Sequence, residues 1–226
     1  MARWVLVLSA LLWVTEPKIP GLVEVPAARV GGNRMSVLYT GDGGWRTADR
    51  GVASILADNG IPVVGLNTLR YFWTRRTPEE AAIDFQRVLN RYLPLWKKDK
   101  VVVIGYSFGA DVLPFILNRI PKPLLARIEM LVLLAPTRST DFEFHLRQWF
   151  SDYNPKTARA VLPELKELGG LRILAFCGEE DGGALCKDLP GGIKKVLIPR
   201  AGHRFDQCYS IIAQDILKEV GSPVKR

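Results

Sequence analysis

A serine lies between two glycines near the middle of the chain. The segment Gly105-Tyr-Ser-Phe-Gly109 has the pattern G-x-S-x-G, and the apolar run 101–104 comes directly before it. Between a strand and a helix this pattern is a nucleophile elbow, in which a sharp turn lifts the serine hydroxyl above the edge of a sheet. The context therefore predicts Ser107 as a nucleophile, whereas the five residues alone also fit a closely packed glycine-rich turn.

Two histidines, His145 and His203, could activate this serine. A serine hydroxyl is a poor nucleophile unless a base lies within hydrogen-bond reach. His203 comes after the last predicted strand and before the last predicted helix, and the order Ser, Asp, His requires a late histidine. We predict His203 as the base and expect His145 to be a surface or capping residue.

Three acidic residues follow the penultimate predicted strand, in Gly178-Glu-Glu-Asp181. A catalytic triad needs a carboxylate that fixes the histidine tautomer and stabilises the imidazolium ion. A turn here would direct Asp181 towards the histidine, so Asp181 is the predicted acid. Glu179 and Glu180 remain alternatives, and all three acids would otherwise be solvated loop residues.

A second glycine-rich turn, Gly41-Asp-Gly-Gly-Trp45, follows the first core strand. In α/β-hydrolases one oxyanion donor comes from the residue after the nucleophile and the other from a loop after an earlier strand. This predicts an oxyanion hole from the amide of Phe108 and the amide of Asp42 or Gly43. No C-x-x-C pair or His/Cys cluster suggests a metal, and we predict no cofactor.

The elements that must position these residues alternate between strand and helix. Short apolar runs predict strands and helical spacing of apolar residues predicts helices. The strands are 35–40, 61–65, 101–104, 130–134, 171–176 and 195–198, and helices cover 47–59, the segment after Thr77, and 206–220. Alternation predicts an α/β fold with a mostly parallel sheet and helices on both faces. Residues 137–166 could add a small cap, and Pro114 should kink the helix after the elbow.

Composition and charge limit the possible partners. The 226 residues, 48% of them apolar, fit one globular domain. The formal net charge of +8 favours contact with anionic surfaces such as a membrane. The basic residues are scattered rather than clustered in a long run, so no nucleic-acid partner is predicted.

The N-terminus predicts export. Residues 4–14 are apolar and fit the core of a secretory signal, but they are too short to span a bilayer. We predict a signal peptide or uncleaved anchor over 1–19 and the hydrolase domain over 20–226; an ordinary first strand is the alternative. In an exported protein Cys177 and Cys186 could close a loop beside the site, leaving Cys208 odd, although three free thiols also fit.

The chain resembles the VirJ/AcvB family of bacterial virulence-associated proteins, a branch of the α/β-hydrolases, from about residue 20 to the C-terminus. The similar segments are 41–45, 69–73, 76–79, 105–114 and 202–206. The resemblance implies a periplasmic protein linked to virulence or secretion. For AcvB-like members it also implies hydrolysis of lysyl-phosphatidylglycerol at the membrane. Arg204 is a departure, because a smaller or neutral residue is expected beside the histidine.

This resemblance suggests how a substrate would be held. An acyl or aminoacyl ester of a lipid is the expected substrate, and Asp42 or Glu143 would hold a lysyl ammonium group. Trp45 and Trp73 complete the predicted substrate-binding residues; Trp73 and Trp149 could form a lipid-facing rim or a protein interface. The alternatives are a non-catalytic periplasmic factor that binds a secretion component on the same scaffold, and a cytoplasmic esterase if no export occurs.

Overall fold

The computed structural model describes residues 18–29, 31–143, 157–205 and 207–221. The strands are β1 (Leu22–Val25), β2 (Arg34–Tyr39), β3 (Val63–Leu66), β4 (Lys100–Tyr106), β5 (Ile128–Leu134), β6 (Ser139–Thr140), β7 (Arg159–Ala160), β8 (Ile173–Gly178) and β9 (Lys194–Ile198). The helices are α1 (Thr47–Asp58), α2 (Thr68–Tyr71), α3 (Pro78–Leu95), α4 (Phe108–Leu117), α5 (Lys122–Leu125), α6 (Val161–Glu167) and α7 (Tyr209–Glu219).

Seven strands form one sheet in the order β1-β3-β2-β4-β5-β8-β9. Only β1 pairs antiparallel to its neighbour, and the other pairings are parallel. The carboxyl ends of parallel strands meet at one edge, where open α/β sheets bind their ligands. The loops after β2, β4, β8 and β9 therefore open at the same edge. The predicted α/β class and mostly parallel sheet are confirmed.

Both faces of the sheet are covered by buried apolar side chains. Val101 and Val103 of β4 belong to a core cluster shared with α3 and α4. Val102 and Ile104 belong to a second cluster, shared with α1 and α7. Successive side chains of a strand point to opposite faces, so a strand covered on both sides reads as a continuous apolar run. The prediction of helices on both faces is confirmed.

Local signals correctly located the start of α3. The backbone N–H of Glu80 donates to Thr77 Oγ1 at 3.1 Å, and the N–H of Thr77 donates to Glu80 Oε2 at 2.8 Å. This reciprocal pair satisfies two amides that the first turn of a helix leaves without partners. In α4 the expected kink at Pro114 does not end the helix, which continues to Leu117.

Several features differ from the predicted elements or lie outside the described residues. The edge strand β1 was not predicted, and α7 begins at Tyr209; Asp206 is not among the described residues. In the predicted cap region the structure describes the small β6–β7 pair and α6, while 144–156 lie outside the description. Most of the predicted signal segment, 1–17, also lies outside it. None of the described helices combines the length and apolar character needed to cross a membrane.

Candidate active site

Ser107 occupies a sharp turn between β4 and α4. Its backbone angles are φ 50° and ψ −117°, a conformation that residues with a side chain rarely adopt. Such a conformation costs about 1–3 kcal/mol and persists only where surrounding contacts fix it. Here the N–H of Ser107 donates to the carbonyl of Leu134 at 2.8 Å, which holds the turn against β5. The structure therefore places Ser107 in a strand–turn–helix elbow.

The two glycines of the elbow are required by close backbone packing. A Cβ at Gly105 would lie 2.6 Å from backbone atoms of Ala110, and a Cβ at Gly109 would lie 2.4 Å from the carbonyl oxygen of Tyr39. Such distances are shorter than van der Waals contact, so a side chain at either position would push α4 away from the sheet.

The structure brings Ser107, His203 and Asp181 into one hydrogen-bonded chain. Ser107 Oγ lies 2.7 Å from His203 Nε2, and His203 Nδ1 lies 2.9 Å from Asp181 Oδ2. A serine bonded to one imidazole nitrogen and a carboxylate bonded to the other is the geometry of a nucleophile, base and orienting acid. The Asp181 side chain is 7% exposed and that of His203 is 41% exposed, so the imidazole can be reached from solvent.

The other two acids of this loop have different surroundings. Glu179 Oε2 accepts a hydrogen bond from the backbone N–H of Arg200 at 3.1 Å. Glu180 has an exposed side chain, and its backbone N–H donates to the carbonyl of Ala201 at 2.9 Å. Both residues thus connect the loop that follows β8, here called the acid loop, to the loop that follows β9, here called the histidine loop. Asp181 is the acid whose carboxylate contacts the imidazole.

Close packing and a disulfide bond also hold the acid loop. A Cβ at Gly178 would lie 2.3 Å from the carbonyl oxygen of Gly202, so the histidine loop approaches β8 as closely as its backbone allows. Cys177 and Cys186 are bonded, closing a loop of sequence separation 9 that contains Asp181, and Cys208 is a free thiol. The pairing considered for an exported protein is the one present.

The elbow opens into a pocket of about 440 Å³. Its lining comprises the turn after β2, the first turn of α1, the elbow and the histidine loop: Gly41, Asp42, Gly43, Gly44, Arg46, Ala48, Asp49, Tyr106, Ser107, His203 and Arg204. Asp42 and Gly43, the two candidate oxyanion donors, thus share the pocket with Ser107. Phe108 follows as the first residue of α4, so its amide lies beside Ser107, where the predicted oxyanion hole needs a donor.

A buried threonine pair fixes the turn that carries these amides. Thr68 Oγ1 donates to the carbonyl oxygen of Gly41 at 2.7 Å, and the N–H of Thr68 donates to Thr40 Oγ1 at 3.1 Å. Both threonines are fully buried, where an unpaired hydroxyl would be costly. This pair was not predicted from the sequence; the only signal for it was a threonine shortly after each of two neighbouring strands.

Three predicted substrate-binding residues are not in the pocket lining. The Trp45 ring packs where Gly65 has no side chain, since a Cβ there would lie 2.3 Å from it. Trp45 therefore packs on β3, and its role in substrate binding stays a prediction. Trp73 is 62% exposed and Glu143 is half-buried, and neither lines the pocket. His145 and Trp149 are outside the described residues.

Several residues that contribute to the site were not predicted. The Tyr106 hydroxyl donates to the carbonyl of His203 at 3.3 Å, and Arg46 and Arg204 line the pocket. Asp111, one helical turn after the nucleophile, is fully buried, and this burial raises its pKa to about 7. Position was the only available signal, because each lies within four residues of a predicted site residue.

Within the described ranges, no group of three or more His, Cys, Asp or Glu side chains could hold a metal ion.

Residues 33–223 match the family described as "Bacterial virulence protein (VirJ)". No curated protein sequence matches the chain. Among solved structures, Est1E from Butyrivibrio proteoclasticus is similar with a TM-score of 0.61 and 12% identity, covering 88% of this chain and 91% of that one.

Two further solved structures show the same likeness. MenH from S. aureus has a TM-score of 0.62 and 14% identity, over 88% of this chain and 98% of that one. A probable hydrolytic enzyme from Pseudomonas aeruginosa PAO1 has a TM-score of 0.62 and 16% identity, over 87% and 88%. At such identities the likeness shows the fold, which is that of the α/β-hydrolases.

Proposed function

This chain belongs to the VirJ family of bacterial virulence proteins, and on that premise we propose that it is a serine hydrolase that cleaves an acyl or aminoacyl ester. The observation that carries the proposal is the pair of contacts at His203, 2.7 Å to Ser107 Oγ and 2.9 Å to Asp181 Oδ2. Hydrogen bonds on both imidazole nitrogens orient the ring for transfer of the serine proton.

The reaction proceeds in two halves. Ser107 Oγ attacks the ester carbonyl as its proton moves to His203 Nε2, and Asp181 stabilises the resulting imidazolium ion. The amides of Phe108 and of Asp42 or Gly43 hold the oxyanion. His203 then gives the proton to the departing alcohol, which leaves an acyl-enzyme. A water molecule, deprotonated by His203, attacks this ester and releases the acid and free Ser107.

We propose lysyl-phosphatidylglycerol at the periplasmic face of the membrane as the finer assignment of substrate. The family resemblance supports it, as does the net charge of +8, which favours an anionic bilayer. The half-buried Asp42 lies in the pocket wall, where a carboxylate would attract a lysyl ammonium group. The Cys177–Cys186 bond supports an oxidising compartment such as the periplasm.

Labelling with a fluorophosphonate probe tests the hydrolase proposal. The wild type should be labelled, while Ser107→Ala and His203→Ala should both lose labelling. Ser139→Ala is the matched control, because Ser139 is exposed and lies outside the pocket. Absence of labelling in every form, with all of them folded, would contradict the proposal and favour the non-catalytic binding factor.

Vesicles that contain lysyl-phosphatidylglycerol test the substrate. We expect release of free lysine by the wild type and none by Ser107→Ala. If the wild type is labelled by the probe but releases no lysine, the serine hydrolase assignment stands and the aminoacyl-lipid assignment is wrong.

A further inference from the structure

Two arginines from different loops lie in the wall of the active-site pocket. Arg46 precedes α1, and Arg204 directly follows the histidine of the triad. Both line the same pocket as Ser107 and His203, and both are exposed. Guanidinium groups placed beside a reacting ester could contact only the part of the substrate that flanks the scissile bond. The two arginines therefore indicate which charge that flanking part carries.

Among the described residues, these two arginines have few hydrogen-bond partners. Arg46 Nε donates to the carbonyl of Gly43 at 2.8 Å, which anchors the side chain to the oxyanion turn, and no described residue accepts from its terminal nitrogens. No carboxylate of the described residues forms an ion pair with Arg46 or Arg204. Elsewhere, Arg34 pairs with Glu129 at 2.6 Å and Arg138 pairs with Asp188 at 2.6 Å. Within the described part of the chain, the two pocket arginines therefore have no carboxylate partner that a ligand would have to displace.

Two carboxylates also face the pocket, and they are placed differently from the arginines. Asp49 is 4% exposed, and its Oδ2 accepts the backbone N–H of Arg46 at 3.1 Å, at the start of α1. The positive end of the helix partly compensates this buried charge. Asp42 is half-buried within the oxyanion turn. The exposed charges that a substrate meets first are therefore the guanidinium groups.

We infer that Arg46 and Arg204 form an anion subsite that binds a phosphoryl group of the ester substrate. A planar guanidinium donates two parallel hydrogen bonds to phosphate oxygens, and here two guanidinium groups from different loops line one pocket. His203 gives its proton to the departing alcohol, and Arg204 is its neighbour in the chain. We therefore place the phosphoryl group on the alcohol side of the ester, within a few bonds of the scissile oxygen. The inference rests on the proposed hydrolase function and assigns specificity within the same pocket.

Two esters that differ only in the phosphoryl group test the subsite. Acetyl esters of glycerol 3-phosphate and of glycerol share the scissile bond, and acetate release gives kcat/KM for each. The wild type should prefer the phosphorylated ester by about tenfold or more, mainly through KM, since charge-assisted hydrogen bonds contribute at least that much. Arg46→Gln and Arg204→Gln should each reduce the preference, and the double variant should abolish it.

Arg127→Gln is the matched control for the loss of one positive charge. Arg127 is exposed, and it precedes β5 at the opposite edge of the sheet from the pocket. This variant should keep the wild-type preference. A wild type without preference, or a double variant that retains it, would overturn the inference while leaving the hydrolase proposal intact.

Binding of inorganic phosphate gives a readout that does not depend on turnover. Calorimetry should detect phosphate binding to the wild type and to Arg127→Gln, and none to a folded Arg46→Gln/Arg204→Gln variant. If neither ester is hydrolysed, probe labelling still decides the hydrolase proposal, and this titration still decides the subsite. Equal binding to the wild type and the double variant, or no binding at all, would overturn it.

Competition distinguishes the two sources of a phosphoryl group. Vesicles of phosphatidylglycerol or soluble glycerol 3-phosphate are added during hydrolysis of the phosphorylated ester. Inhibition by the vesicles alone supports a lipid headgroup, and inhibition by the soluble compound supports a soluble phosphate ester. In either case the double variant should lose the inhibition; inhibition of the wild type by neither competitor would count against the subsite.

Discussion

Asp111 and Thr137 are joined by two short hydrogen bonds beneath the nucleophile elbow. The N–H of Thr137 donates to Asp111 Oδ1 at 2.6 Å, and Thr137 Oγ1 lies 2.6 Å from Asp111 Oδ2. Asp111 belongs to the first turn of α4, and Thr137 follows β5. This pair joins α4 to the segment that follows β5. The same segment contacts the acid loop, because the N–H of Leu185 donates to the carbonyl of Pro136 at 2.7 Å.

We predict that Asp111 makes the stability of the protein depend on pH. Burial raises the pKa of Asp111 from 3.8 to about 7, so the folded state binds the proton more tightly than the unfolded state. The stability from this proton is complete below about pH 4 and is lost as the pH rises towards 7. The Asp111→Asn side chain cannot ionise. Its free energy of unfolding, relative to that of the wild type, should therefore rise by on the order of 2–4 kcal/mol between pH 5 and pH 8.

Urea unfolding of both proteins at pH 5 and pH 8 measures this effect. Asp58→Asn is the control, because Asp58 is exposed at the end of α1. A stability difference between wild type and Asp111→Asn that does not change over this range would show that Asp111 keeps an ordinary carboxylate pKa.

Asp181 should carry the orienting role alone among the three neighbouring acids. Asp181→Asn preserves the shape of the side chain but favours the wrong imidazole tautomer, and we expect kcat to fall by about 10²–10⁴-fold. Glu180→Gln should change kcat little, because its side chain is exposed and its loop contact is made by the backbone. Steady-state hydrolysis of an activated ester measures both. Equal losses in the two variants would refute the assignment of the acid.

The Cys177–Cys186 bond should stabilise both the fold and the acid loop. A closed loop of this length limits the unfolded chain and contributes roughly 2–3 kcal/mol. Cys177→Ala/Cys186→Ala should therefore unfold at lower urea concentration and lose activity, because Asp181 lies within the loop. Dithiothreitol, which reduces the disulfide bond, should destabilise the wild type and Cys208→Ala alike, because this variant removes only the free thiol. An unchanged kcat in the double variant would show that backbone contacts alone position Asp181.

Gly178→Ala should disturb the approach of the histidine loop to β8. The added methyl group would meet the carbonyls of Gly202 and Ala201 at 2.3 and 2.4 Å. Overpacking of this kind costs about 1–3 kcal/mol, and a shift of His203 should lower kcat by at least tenfold. Gly182→Ala is the matched control, since nothing lies within 4 Å of its added Cβ. Thermal unfolding and ester hydrolysis together test the prediction; equal effects of the two substitutions would contradict it.

The sequence by itself determined most strands of the sheet, its longer helices and the order of the site along the chain. Glycine spacing around Ser107, the Thr77–Glu80 capping pair and the continuous apolar strands depend on neighbours in sequence, so they can be read without the fold. The same local patterns, with a histidine after the last strand, predicted an α/β-hydrolase. Strand β1 was missed because its pairing with β3 is a contact between distant segments.

The tertiary structure decided which of several equivalent residues meet. Asp181, rather than Glu179 or Glu180, reaches the imidazole because the packing of β8 against the histidine loop sets the direction of each side chain. Packing against Gly65 places Trp45 on β3, and the fold brings Arg46 and Arg204 into one pocket. These contacts join residues far apart in the chain, and their geometry depends on the fit between whole elements, which no local pattern encodes.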